Sequence, residues 1–299
     1  MNKALPLRRW VFTVLLCPLV ALSPQTFTAD STNSALEAPA AKQIKLATLE
    51  WPPYVGQELK QRGYVHELVV AALNRAGYEV QVKYVPWPRA IREASVGEVD
   101  GLFPAYYTTE RSQQFVFSDP FAGGPVGLYK RRDTPASYPV DPRSNPVAAL
   151  RGVREYSVGV VRGYANPLPL ERVDFLKQEA AKNDLINLRR LYHKRVDLIV
   201  IDKFVADYLL ETSLKEYRGE LEFMQPPLEI KYFYVAFSPK DPAYQEKLEA
   251  FNRGLALITQ DGTLDRIYEQ HGVRSVLNYE HDLSSTELQD KAEEGQHSN

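Results

Sequence analysis

Residues 64–85 read YVHELVVAALNRAGYEVQVKYV, and this stretch decides the fold class. Over its first half the apolar positions Val65, Leu68, Val69, Ala72 and Leu73 recur at helical spacing and share one face. Gly77 follows, where a glycine in the left-handed conformation can close a helix. From Tyr78 to Val85 the period changes to two. Val80, Val82 and Tyr84 alternate with Glu79, Gln81 and Lys83, as the opposite faces of a strand require. A helix that feeds directly into a strand is half of a βαβ unit.

The neighbouring sequence continues this rhythm. Ile44–Leu49 forms a short apolar strand before the helix, Pro88 opens a second helix that Gly97 closes, and Val99–Tyr106 is a third strand. This βαβαβ run predicts an α/β fold with a parallel sheet. Gly123-Gly124-Pro125 then predicts a flexible or sharply bent connection, and Pro135, Pro139, Pro142 and Pro146 mark a loop-rich stretch. A second α/β unit follows: strand Tyr156–Val161, a helix near Leu185–Lys194, strand Val196–Ile201, and a helix from Phe204 to Leu210. Strand Tyr232–Phe237 and helices Ala243–Gln260 and Leu264–His271 close the chain. The pattern predicts two α/β lobes, the first from residues 44–122 and 231–275, the second from residues 123–230. The chain crosses between them near Ala122–Val126 and Pro226–Lys231. A cleft between lobes joined by two strands is a natural ligand site.

Composition narrows the class. The chain has 299 residues, 44% apolar and 25% charged, as expected of a soluble globular protein of two ordinary domains. Residues 1–29 read as a secretory signal: Lys3, Arg8 and Arg9 precede the apolar run Trp10–Leu22, which is short of the about 20 residues a membrane span needs. Export to the periplasm follows. Residues 30–43 are predicted as a flexible leader. Residues 276–299, with Glu280, Asp282, Glu287, Asp290, Glu293 and Glu294 against Lys291, are predicted as an acidic, disordered tail. The one cysteine, Cys17, lies inside the signal behind Leu16 rather than a small residue, which argues against lipid attachment. Disulfides, thiolate catalysis and cysteine-ligated metals are then excluded from the exported chain. A formal charge of −2 without a basic run argues against a nucleic-acid partner. His66, His193, His271, His281 and His297 lack metal-ligand spacing, and no phosphate loop, dinucleotide fingerprint or nucleophile elbow occurs. No metal, cofactor or catalytic set is expected.

Thr108-Thr109-Glu110-Arg111, followed by Phe117-Ser118-Asp119-Pro120-Phe121, carries the strongest chemical signal. It places an arginine just past a strand's C-terminal edge, where α/β sheets bind ligands. The rigid donor fork of arginine matches a carboxylate. The segment resembles the signature of bacterial family 3 extracellular solute-binding proteins, and the resemblance extends over roughly residues 44–275. Glu50-Trp51-Pro52-Pro53-Tyr54 looks like that family's aromatic turn. Lys194-Arg195-Val196-Asp197 with Asp202 is similar to a second motif, although Lys194 and Leu198 replace its glycine and alanine. Asn252–Gly272, containing Gln260-Asp261-Gly262-Thr263, looks like the C-terminal helix pair.

The resemblance implies a two-lobed fold of the type II periplasmic-binding-protein kind, no enzymatic activity, and a monomer that hands a small amino-acid-like or carboxylate ligand to an inner-membrane ABC permease. It implies that Arg111 grips the ligand carboxylate, that Asp202 receives its ammonium group, and that Trp51 packs on the rest. Asp202 is also placed to cap the helix that follows, and both roles can hold. Gly163 retains the family's close backbone approach. Arg162, Gly163 and Tyr164 end a second-lobe strand at the ligand, Tyr164 and Ala165 stand where the family has a small hydroxyl residue, and Phe103–Tyr107 shows the same change. Both departures point away from a standard polar amino acid. Trp87, Arg89 and Tyr106 are candidates to line the same mouth, with core packing as the alternative for the aromatics. Glu50 is placed either to select a positive group or as a solvated turn residue. Two other readings stand beside the transport one: a cyclohexadienyl or arogenate dehydratase-like enzyme with Glu50 as general acid, and a stand-alone sensory module.

Overall fold

A computed structural model describes residues 42–273. The secretory signal with Cys17, all but the end of the leader, and the acidic tail lie outside the described residues. The elements in chain order are β1 (Lys42–Thr48), α1 (Tyr64–Arg75), β2 (Tyr78–Tyr84), α2 (Trp87–Ser95), β3 (Gly101–Ala105), β4 (Val116–Phe117) and β5 (Phe121–Arg131). There follow α3 (Pro146–Arg151), β6 (Ser157–Val161), α4 (Leu168–Glu171), β7 (Lys177–Ala181), α5 (Asp184–Tyr192), β8 (Leu198–Asp202) and α6 (Lys203–Thr212). Last come β9 (Leu221–Phe223), β10 (Glu229–Phe237), α7 (Tyr244–Gln260) and α8 (Thr263–Gln270).

The stretch that opened the sequence reading folds as its periods require. Val65, Leu68, Val69, Ala72 and Leu73 are all buried on one face of α1. Burying each larger aliphatic side chain contributes roughly 1.5–3 kcal/mol, so this face fixes the helix on the sheet. Its partner is α7, which approaches so closely at Gly254 that a Cβ there would lie 1.9 Å from the Ala72 carbonyl oxygen. β1 is parallel to both β2 and β3. It starts at Lys42 rather than Ile44, because Lys42 and Gln43 pair with Tyr78 and Glu79 as exposed residues that apolar pattern does not reveal.

A second parallel set, β7-β6-β8, carries the middle of the chain. Two long strands join the sets. β5 pairs antiparallel with β10 through Phe121–Val126 and with β8 through Val126–Lys130. β10 pairs with β5 through Glu229–Phe233, then with β3 and β4 through Tyr234–Phe237. The fold is thus two α/β lobes joined by two crossings.

The crossing at Gly123-Gly124-Pro125 is extended strand rather than a bend. Its glycines serve close approach: a Cβ on Gly123 would sit 1.9 Å from the Lys231 carbonyl oxygen, and one on Gly124 would sit 2.2 Å from the Tyr54 hydroxyl. β7, an edge strand of sequence KQEAA, carries too little apolar alternation to be read in advance. Asp197 precedes β8, and its carboxylate accepts from the Ser157 backbone N–H and hydroxyl, holding the start of β6.

Candidate functional site

Arg111 stands just beyond β3, on a single turn of 3₁₀-helix, Arg111–Gln113. Thr108 holds that turn, its Oγ1 accepting from the Arg111 backbone N–H at 3.1 Å. The guanidinium spans the two lobes. Nη1 donates to the Tyr106 carbonyl at 3.0 Å, and Nη2 donates to the Gly163 carbonyl, beyond β6, at 2.8 Å. Its carbon lies 5.6 Å from the centre of the Trp87 ring, a cation–π position. Burial pushes its pKa down to about 10, against the opposing fields of Glu171, Glu110 and Tyr106. Gly163 has φ +79, a left-handed backbone that favours glycine and turns its carbonyl toward Arg111.

Asp202 ends β8 and caps α6. Its Oδ1 accepts from the backbone N–H groups of Phe204 at 2.9 Å and Val205 at 3.2 Å. From the other lobe, the Tyr54 hydroxyl lies 2.8 and 2.9 Å from its two oxygens, and the Tyr106 hydroxyl donates to Oδ2 at 3.2 Å. Both roles foreseen for Asp202 draw on the same carboxylate, and capping and lobe bridging already use it. Burial raises its pKa to about 7, partly offset by the hydrogen bonds from Tyr54, the α6 amides and Tyr106. The Tyr54 and Tyr106 hydroxyls are pushed well above their ordinary value, first by burial and then by the Asp202 charge.

A second buried carboxylate faces the first lobe. Asp184 opens α5, and its Oδ2 accepts from Trp51 Nε1 at 3.0 Å. Tyr164 also hydrogen-bonds to it, and burial raises its pKa to about 6 against these two donors. Around these anchors the aromatics form one cluster. Trp51 packs 4.9 Å from Tyr54, 5.8 Å from Tyr106, 6.0 Å from Tyr164 and 5.6 Å from Phe233, between ring centres.

The space between these side chains is small. A cavity of about 20 Å³ is walled by Trp51, Trp87, Tyr106 and Arg111 from the first lobe and Tyr164 and Ala165 from the second. That is room for about one water. On the outer side of Arg111 a larger cavity of about 220 Å³ is bordered by Glu110, Phe115, Tyr164 and Glu171. Burial raises the pKa of Glu171.

Three of the residues singled out from the sequence point elsewhere. Glu50 is exposed and accepts from the backbone and side-chain amides of Gln57, so the acid named by the dehydratase reading lies outside the cavity walls. Arg89 is drawn along α2 to Glu93, 2.7 Å away, where Lys83 also ends. Arg162 is exposed, and its backbone N–H donates to Ala181. Among the described residues no cluster of His, Cys, Asp and Glu could hold a metal ion, and no helix is long and apolar enough to cross a membrane.

The family profile of bacterial extracellular solute-binding proteins, family 3, matches residues 44–274. The chain belongs to this family. Solved structures share the fold at low identity. A histidine kinase sensor domain with similarity to periplasmic binding proteins is 21% identical, with a TM-score of 0.66 over 77% of this chain and 96% of that one. An ancestral arginine-binding protein bound to arginine is 22% identical, with a TM-score of 0.63 over 77% and 98%. The GluR0 ligand-binding core from Nostoc punctiforme, in complex with L-glutamate, is 18% identical, with a TM-score of 0.61 over 76% and 98%. A comparison with curated proteins gives no significant match.

Within this solute-binding fold, Tyr54, Asp184, Phe233 and Lys231 join the cleft without having been singled out as site residues. Tyr54 stands in the aromatic turn already noticed, and its hydroxyl was the overlooked signal. Asn183-Asp184 reads from sequence only as a helix start, which it also is, since the Asn183 side chain accepts from the Ile186 N–H. Lys231 is buried in β10, 3.3 Å from Glu229 and 5.0 Å from the centre of the Tyr106 ring. Only the pairing of β10 with β5 brings it there.

Proposed function

We propose that this solute-binding protein acts in the periplasm. There it captures a small amino-acid-like or carboxylate ligand between its lobes and delivers it to an inner-membrane ABC permease. The lobe formed by residues 44–122 and 231–275 rotates against residues 123–230 about the paired strands β5 and β10. Arg111 carries the reading. It is the one cation that walls the small aromatic cavity, it reaches across to Gly163, and its fork retains N–H groups beyond the two engaged. A carboxylate seated there would replace backbone carbonyls with a charge-assisted pair and bridge the lobes.

Mass spectrometry of small molecules released from the purified protein is expected to give a carboxylate. Adding that compound back is expected to reduce the radius of gyration in solution scattering. A ligand that binds without compaction would refute the clamp. A second reading, a sensory ligand-binding module, draws support from the fold shared with a histidine kinase sensor domain. Co-purification of the liganded protein with a membrane permease, against its absence, separates the two.

A further inference from the structure

We propose that the ligand is a carboxylate with an apolar, planar body and no α-ammonium group, and that Asp202 acts as the latch at the base of the cleft rather than as an ammonium receptor. The proposal rests on the receptor reading above and names its substrate class.

The argument is one of acceptor capacity. When ionised, a carboxylate offers about four lone-pair sites; when protonated, it offers fewer and has no charge to attract an ammonium group. On Asp202 the lone-pair sites are met by four protein donors: the Phe204 and Val205 amides, the Tyr54 hydroxyl and the Tyr106 hydroxyl. The residue is also only 3% exposed. A ligand ammonium could reach it only by expelling a tyrosine hydroxyl that would then be left buried and unpaired, a costly exchange. Asp184, the other buried acid of the aromatic cluster, is likewise engaged by Trp51 and Tyr164.

Opening of the cleft leaves the latch in place. Asp202 pairs with Val126 in the crossing strand β5, and a Cβ on Gly124 would touch both the Tyr54 hydroxyl and the Asp202 carboxylate. These groups sit against the hinge, where rotation of one lobe produces the least displacement. Arg111, Gly163 and Tyr164 stand outside the paired hinge strands, and in the proposed rotation they move further. The small cavity has its walls on both lobes, so a modest rotation widens it between Trp51, Trp87 and Tyr164 while Tyr54 stays on Asp202. The widened space has aromatic walls and one cation. Glu110 and Glu171 border the outer side of Arg111, so the ligand carboxylate takes the inner, aromatic side. Lys231, the other buried cation near Tyr106, is paired with Glu229.

Matched pairs test this by calorimetry on the purified full chain: 3-phenylpropionate against L-phenylalanine, and indole-3-propionate against L-tryptophan. The expected result is at least tenfold tighter binding of the compound without the ammonium group in each pair. Tyr54→Phe frees an acceptor site on Asp202 and is expected to narrow that gap at least fivefold; an unchanged gap counts against the latch. Equal or tighter binding of the amino acids, or binding of a polar amino acid with neither pair bound, overturns the proposal and leaves the receptor reading standing. If no carboxylate of any kind binds, both fall together.

Discussion

At the scale of single residues, the site separates a charge that is ready to pair from charges that are already paired. Arg111 donates to two neutral carbonyls. A carboxylate is a stronger acceptor, and a charged hydrogen bond contributes roughly 1.5–3 kcal/mol. Arg111→Ala is therefore expected to weaken ligand binding about ten- to a hundredfold, measured by calorimetry. Asp202 and Asp184 invite a different test. Their pKa values in the folded protein, about 7 and about 6, lie above the value near 4 of a free carboxyl. The folded state therefore binds their protons more tightly than the unfolded state. The stability they contribute is complete below about pH 4 and is lost as pH rises through about 6 to 7. His66 works in the opposite sense: burial lowers its pKa to about 4, so its contribution is lost as pH falls from about 6.5. Comparing variants isolates the acid. Asp202→Asn is expected to flatten the fall in urea midpoint between pH 5 and pH 8 relative to the parent protein. An unaltered pH profile would show that Asp202 does not hold its proton as its burial implies. Arg111 was legible in the sequence because its motif and strand-edge position agree. Asp184 was not, because an acid at a helix start has a sufficient local explanation.

At the scale of elements, the strands that join the lobes are held by closeness rather than by bulk. Gly123 lies where any side chain would strike the Lys231 carbonyl oxygen. Gly123→Ala is expected to push β5 and β10 apart and to destabilise the protein by roughly 1–3 kcal/mol, read from urea unfolding. It is also expected to shift scattering toward a more open particle. Gly254→Ala meets the Ala72 carbonyl oxygen in the same way and is expected to cost a similar amount. It separates α1 from α7 within the first lobe and leaves the hinge unaltered, so it serves as the control for opening. Helix α1 and strand β2 were legible because each has a clean period. The strand character of β5 was hidden by its own sequence. Gly123, Gly124 and Pro125 are turn formers by local preference, and tertiary pairing with β10 overrides that preference.

At the scale of the whole molecule, the two lobes of the described residues touch across the cleft, as the proposed clamp requires. Trp51, Tyr54, Tyr106 and Arg111 on one lobe reach Asp184, Asp202 and Gly163 on the other. Closure thus has protein-made contacts, and a ligand adds its own share to them. At a concentration about a hundredfold above Kd, the ligand is expected to stabilise the protein by roughly 2.7 kcal/mol, seen as a raised melting temperature in a thermal-shift assay. A compound that binds tightly in calorimetry but leaves the melting temperature unmoved would show that it binds the unfolded chain equally well.

The sequence by itself determined the alternation of strands and helices, the two-lobed α/β fold class and the position of Arg111 beyond a strand, because periodicity and motif spacing are local properties. The tertiary structure alone decided what Asp202 faces. Capping α6 is a local matter, but the hydroxyls of Tyr54 and Tyr106 come from 148 and 96 residues away. No local pattern records whether a carboxylate's lone pairs are left free for a ligand or filled by the protein. That depends on which side chains the hinge strands bring together.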